Sequence, residues 1–156
     1  MLIRKAEKQD LEEILTLFLN TIQNVNQHDY TAEQLKVWQS GADDRQKWVK
    51  KLDEQQFLVA EEDGEITGFS SISKEGYLDT LFIHKYYQRK GIAKKLLSRM
   101  VEYANQQGVT EIITEASITA RPFFERHGFK VVNKQILNRK NIKIPNYKMR
   151  MILGRH

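Results

Sequence analysis

The chain has 156 residues, 40% of them apolar and 29% charged, with no cysteine and a net charge of +5. That length supports a buried core without disulfides, and the composition excludes a disordered tail, a disulfide or thiolate-metal scaffold and a cysteine nucleophile. No apolar run approaches the roughly 18 residues of a membrane span, and the charged start carries no signal-peptide core, so a cytoplasmic protein of one domain over 1–156 with no membrane partner is expected.

Leu2 to Lys5 reads as a first strand. Leu11, Ile14, Leu15 and Phe18 then recur at i, i+3, i+4 and i+7, one face of a helix, with carboxylates in its first turn. Residues 31 to 53 read as broken helix. Thr31 and Gln34 have capping-box spacing, Ser40-Gly41 interrupts, and Asp43 is the expected restart. Phe57–Ala60 and Ile66–Ile72 read as strands joined through Asp63-Gly64, a hairpin signal. Tyr77–Ile83 is a third strand of this group. Gly91 to Gln107 has helical spacing and ends at Gly108. Glu111–Ala116 is a strand and Thr119–His127 a short helix closed by Gly128. Phe129–Leu137 and Tyr147–Leu153 read as a last antiparallel pair. The order predicts an α/β (α+β) fold, with a mixed twisted sheet of about seven strands and helices on both faces.

Charge is divided along the chain. Residues 1 to 84 carry nine basic and sixteen acidic side chains, and residues 85 to 156 carry sixteen basic and four acidic. The basic excess lies in two blocks, Lys85 to Arg99 and Lys130 to His156. Such blocks suit a phosphorylated cofactor or a nucleic acid. The acidic half suits a cationic amine.

The chemistry concentrates where strand Tyr77–Ile83 runs into Gln88-Arg89-Lys90-Gly91-Ile92-Ala93 and a helix begins. A first helical turn leaves amides unpaired, and with the helix dipole they form an anion site. Gly91 and Ala93 leave the backbone approachable, and Arg89, Lys90 and Lys94 add positive charge. No Walker lysine motif and no two-glycine dinucleotide fingerprint is present.

The run Gln88-x-x-Gly91-x-Ala93 resembles the acetyl-CoA signature of the GNAT superfamily of N-acetyltransferases. The run Ser117-x-x-Ala120-x-x-Phe123-Phe124-Glu125-Arg126-x-Gly128-Phe129 is similar to a second motif of that family. Tyr30-Thr-x-Glu-Gln34 with Trp38, and Tyr77-Leu-Asp79, resemble its YafP-type branch. The resemblance implies transfer of an acetyl group from acetyl-CoA, as co-substrate, to a primary amine of a small molecule or peptide, directly in a ternary complex and without a metal. It places the pyrophosphate on the amides of Arg89 to Lys94. It lays the pantetheine arm along Leu81, Phe82 and Ile83, with an oxyanion-donating N–H near Phe82. Ser117 stands where the family has asparagine, and Phe124 where it has the tyrosine that protonates the departing thiolate. The rival reading is a non-catalytic acyl-CoA sensor or a nucleic-acid-associated module. Nucleic acid is not the expected partner, and a homodimer stays open.

An ammonium must lose a proton before it attacks. Asp79, on the strand beside the cofactor, is the first candidate base, and Glu115 on the neighbouring strand is the second. Tyr147 is a candidate proton donor. Tyr30 and Trp38 are candidate acceptor-binding residues. His127 reads as a helix cap and His84 as a solvated side chain, and no spacing makes a metal site.

Overall fold

The computed structural model describes residues 1–154. Its elements are β1 (Leu2–Lys5), α1 (Leu11–Val25), α2 (Ala32–Gln39), α3 (Arg45–Glu54), β2 (Gln56–Glu62), β3 (Glu65–Ile72), β4 (Tyr77–Ile83), α4 (Ile92–Gln106), β5 (Glu111–Ala116), α5 (Arg121–Arg126), β6 (Lys130–Arg139) and β7 (Ile142–Ile152). Among the described residues no helix is long and apolar enough to cross a membrane.

Period-two burial decides the architecture. Phe57, Val59 and Phe69 bury on one sheet face with Ile14, Phe18 and Ile22 of α1 and Trp48 of α3. Leu58, Ala60 and Leu78 bury on the other with Leu96 and Met100 of α4 and Phe124 of α5. Each large apolar side chain so buried contributes about 1.5–3 kcal/mol.

The capping box at Thr31 and Gln34 forms as expected, with Gln34 N donating to Thr31 Oγ1 at 3.1 Å and Thr31 N to Gln34 Oε1 at 2.9 Å. The restart is at Asp44 and not at Asp43. Asp44 Oδ1 accepts from Lys47 N at 3.1 Å, while Asp43 lies inside a short 3-10 turn, Ser40–Asp43. The expected loop before Tyr147 is also replaced. β6 and β7 form one long hairpin, with Lys140 and Asn141 both at positive φ of 50° and 65° in its turn. Pro145 sits inside β7, just past the last β5 pair, Ala116 with Tyr147. Its missing N–H therefore costs no bond to β5.

The sheet runs in the order β1-β2-β3-β4-β5-β7-β6. All neighbours are antiparallel except β4 and β5, which pair in parallel only at Tyr77 with Ile113 and Leu78 with Thr114. Beyond those pairs the two strands diverge. On β4 the pairing with β3 also slips, because Ser71 and Ile72 face Thr80 and Leu78. Asp79 is the extra residue of that β-bulge. The split and the bulge fall at the same place.

Candidate active site

Two cavities open on the split. One, of about 860 Å³, runs between β4 and α5 and past the start of α4. It is lined by Leu81, Phe82, Ile83, Gln88, Arg89, Gly91, Ile92, Ala93, Lys94, Ser117 and Phe124. Lys90 does not line it; its ammonium lies 5.2 Å from the Tyr87 ring centroid.

The fit of this cavity to a phosphorylated, extended molecule rests on its backbone. Gln88 Nε2 donates to Ile83 O at 2.6 Å and fastens the loop to the end of β4. Arg89 and Gly91 take positive φ, 60° and 80°, which folds the chain tightly before α4. A Cβ built on Gly91 meets nothing within 4 Å, so the space beside it is open. Lys95 N reaches back to Gly91 O at 3.2 Å, and the amides of the turn before it have no intrahelical acceptor. Those amides, with Arg89 and Lys94 at the lining, form an anion cradle. Among the described residues the second basic block contributes nothing here, for none after His127 lines this cavity.

Strand alternation identifies which amides face the split. His84 N donates to Thr67 O at 2.8 Å, so the Phe82 amide, two residues earlier, also faces β3. Leu81 and Ile83 face the other way. Thr21 Oγ1 reaches Ile83 O from α1 at 3.0 Å. An N–H aimed into the split near Phe82 is therefore that of Leu81 or Ile83, not that of Phe82 itself.

The other cavity, of about 490 Å³, is closed by α2 and α3, by β4 and β5, and by the β6–β7 hairpin. Tyr30, Trp38, Lys51, Tyr77, Arg139 and Asn146 are among its lining residues. The two cavities share Trp38, Asp79, Thr80, Phe82, Glu115 and Ser117. Both candidate bases thus stand where the cavities meet.

Neither carboxylate stands alone. Asp79 Oδ2 is ion-paired with Lys51 and accepts from Gln55 Nε2 at 3.0 Å. Glu115 accepts from Tyr77 Oη at 2.7 Å and from Gln135 Nε2. Burial, with the Glu115 hydrogen bond adding to it, pushes the Tyr77 phenol well above its ordinary value and keeps it neutral. Tyr77 entered the sequence reading only as part of a motif, and Lys51 and Gln135 not at all, because only the folded sheet brings the three to the carboxylates.

Tyr30 is fully engaged. Its hydroxyl donates to Pro145 O at 2.9 Å and accepts from Ile118 N at 2.8 Å. Burial first of all raises its pKa. Its ring meets Trp38 edge-to-face at 5.4 Å, so Trp38 is braced at the junction. Ser117 Oγ accepts from Ala120 N at 3.0 Å and lies 3.5 Å from the buried Asn26 amide. Phe124 is buried between Phe123 and Phe129. Tyr147 lines neither cavity; its ring lies 4.4 Å from the Arg121 guanidinium. His127 caps its helix through Phe123 O at 2.8 Å. His84 is not solvated, with its side chain only 15% exposed and Nδ1 accepting from Tyr86 N. Among the described residues no group of His, Asp or Glu is placed to hold a metal ion.

This architecture is shared with solved structures. It superposes on a GCN5-related N-acetyltransferase from Rhodopseudomonas palustris with a TM-score of 0.94 and 25% identity, covering 97% of this chain and 95% of that one. It superposes on the PaiA N-acetyltransferase from Thermoplasma acidophilum, solved with coenzyme A, with a TM-score of 0.82 and 20% identity, covering 97% and 98%. In sequence it is 31% identical to the N-acetyltransferase YafP of Escherichia coli K12 over 95% of this chain and 93% of that protein. Residues 26–151 match the acetyltransferase (GNAT) domain. A split sheet, a phosphate cradle opening α4 and these matches agree: the chain belongs to the GNAT family of acetyl-CoA-dependent N-acetyltransferases.

Proposed function

We propose that the protein is a cytoplasmic enzyme acting as one domain, in which acetyl-CoA lies in the larger cavity and a primary amine enters through the smaller one. The observation that carries this reading is the junction itself. A cradle for phosphates leads along the β4 backbone to a point shared with a second cavity, and two carboxylates face that point. The absence of cysteine suits a reducing compartment and a direct attack of the amine on the thioester.

In this reading Asp79 takes the proton of the attacking amine, directly or through water, and Glu115 is the second carboxylate at the same place. The N–H of Leu81 or Ile83 faces the negative charge that develops on the thioester oxygen. Phe124 offers no proton to the departing thiolate, and Tyr147 lines neither cavity, so solvent in the open cleft supplies it. The test is thiol release from acetyl-CoA across a panel of primary amines. Amine-dependent release is the expected result. Tight acetyl-CoA binding with no release on any amine would favour the sensor reading.

A further inference from the structure

The smaller cavity carries a charge pattern opposite to that of the acidic half of the sequence. Both of its carboxylates are occupied, Asp79 by Lys51 and Gln55 and Glu115 by Tyr77 and Gln135. Facing them are Lys47 of α3, Arg139 at the end of β6 and Lys140 of the hairpin turn. Among the described residues none of these three has a carboxylate within ion-pair distance. The wall also holds Asn146, more than nine-tenths buried, whose Oδ1 has no hydrogen-bond partner. A buried amide oxygen without a partner is costly unless a ligand supplies the donor.

We infer that the acceptor is a small primary amine carrying an anionic oxyacid group, a carboxylate or a phosphate. The inference rests on the transferase reading above and names its substrate class. Three uncompensated cations at one mouth attract an anion, and the Arg139 guanidinium can clasp either oxyacid with paired hydrogen bonds. Arg139 lies on β6 four residues beyond Gln135, the register partner of Asn146. At about 3.3 Å per residue the two backbone positions are roughly 13 Å apart. Their side chains can therefore hold separate polar groups of one small molecule. An amine with no anionic group leaves the cations without a partner.

Matched acceptors test this. Initial rates of thiol release are measured for L-amino acids against their carboxamides, and for O-phosphoethanolamine against ethanolamine. The expected result is a kcat/KM at least tenfold higher for the anionic member of one set, and the set that shows it identifies the oxyacid. In the Lys47→Gln/Arg139→Gln variant that preference should collapse toward unity, through a raised KM for the anionic acceptors. Both positions are exposed, so the fold should tolerate the change. Neutral amines acetylated as fast as their anionic partners would overturn the inference and leave the transferase reading standing. A preference that survives in the variant would overturn the assignment to these cations. No release with any acceptor would overturn both readings.

Discussion

Lys51 of α3 closes an ion pair on Asp79, the extra residue of the bulge in β4, and both side chains are only 16% exposed. The helix that covers the smaller cavity is thereby tied to the bulge beside the split. The bulge takes Asp79 out of the regular register, and Lys51 pairs with its carboxylate there.

Asp79→Asn keeps the shape and removes the basicity. It should lower kcat by roughly 10²–10⁴ and flatten the acidic limb of the pH–rate profile. Acetyl-CoA affinity, measured by calorimetry, should be unchanged. Normal turnover with an identical pH profile would move the role to Glu115, and Glu115→Gln is then the variant to measure.

Gly91 separates two effects. At φ 80° with open space around it, Gly91→Ala should cost about 1 kcal/mol of stability through backbone strain alone. Gly91→Glu adds the same strain and puts a negative side chain into the cradle. Its acetyl-CoA affinity should fall at least tenfold further than that of Gly91→Ala, measured by calorimetry on folded protein. Equal affinities in the two variants would remove the cradle from the binding site.

Phe124 is only 4% exposed and packs against Phe123 and Phe129. Phe124→Ala should cost about 3–5 kcal/mol in chemical denaturation. Phe124→Tyr should fold normally and place a proton donor at the cleft. Its kcat should rise on an acceptor for which thiolate departure limits the rate. A kcat that stays at the wild-type value on every acceptor would show that solvent already supplies the proton at no cost.

Arg4 grips Asp10 through both guanidinium ends, at 2.9 and 3.0 Å, and Asp10 Oδ2 also accepts from Glu7 N at 2.7 Å. The Arg4 hydrogen bond is the main cause that holds the Asp10 pKa below its ordinary 3.8. A depressed carboxylate contributes stability above its unfolded pKa and loses it as pH falls through the folded one. Asp10→Asn should therefore be less stable than wild type at pH 7, by about 1–3 kcal/mol for a buried network of this kind. That difference should close in acid, below the ordinary carboxylate range. Denaturation midpoints between pH 2 and 7 measure it; a constant difference across the range would show that hydrogen bonding to the neutral form matters equally.

The parts of this fold legible in the sequence were those with a local signal. The β4-to-α4 turn is written in Gln88, Gly91 and Ala93, and the α2 start in Thr31 and Gln34. The β6–β7 turn was not legible, because Lys140 and Asn141 adopt positive φ without a glycine to announce it. Much of the lining of the larger cavity was visible in the motifs because Gln88 to Lys94 is one consecutive stretch of backbone. The smaller cavity was not visible there. Lys51 meets Asp79 across 28 residues, Tyr30 meets Pro145 across 115, and the arching hairpin brings Arg139 over a site that its local charge run assigned elsewhere.

The divergence of β4 from β5 leaves a strand edge in the interior of the molecule. Exposed edges usually invite other polypeptides to pair. This one lies in a slot walled by Thr21 and Val25 of α1 on one side and by Phe123 and Phe124 of α5 on the other. A peptide would have to fit side chains on alternate faces into those walls. A thin arm carrying its own amides can slide in and pair with the open backbone. The inward-facing edge thus gives the protein a sheet that a narrow guest can complete from within.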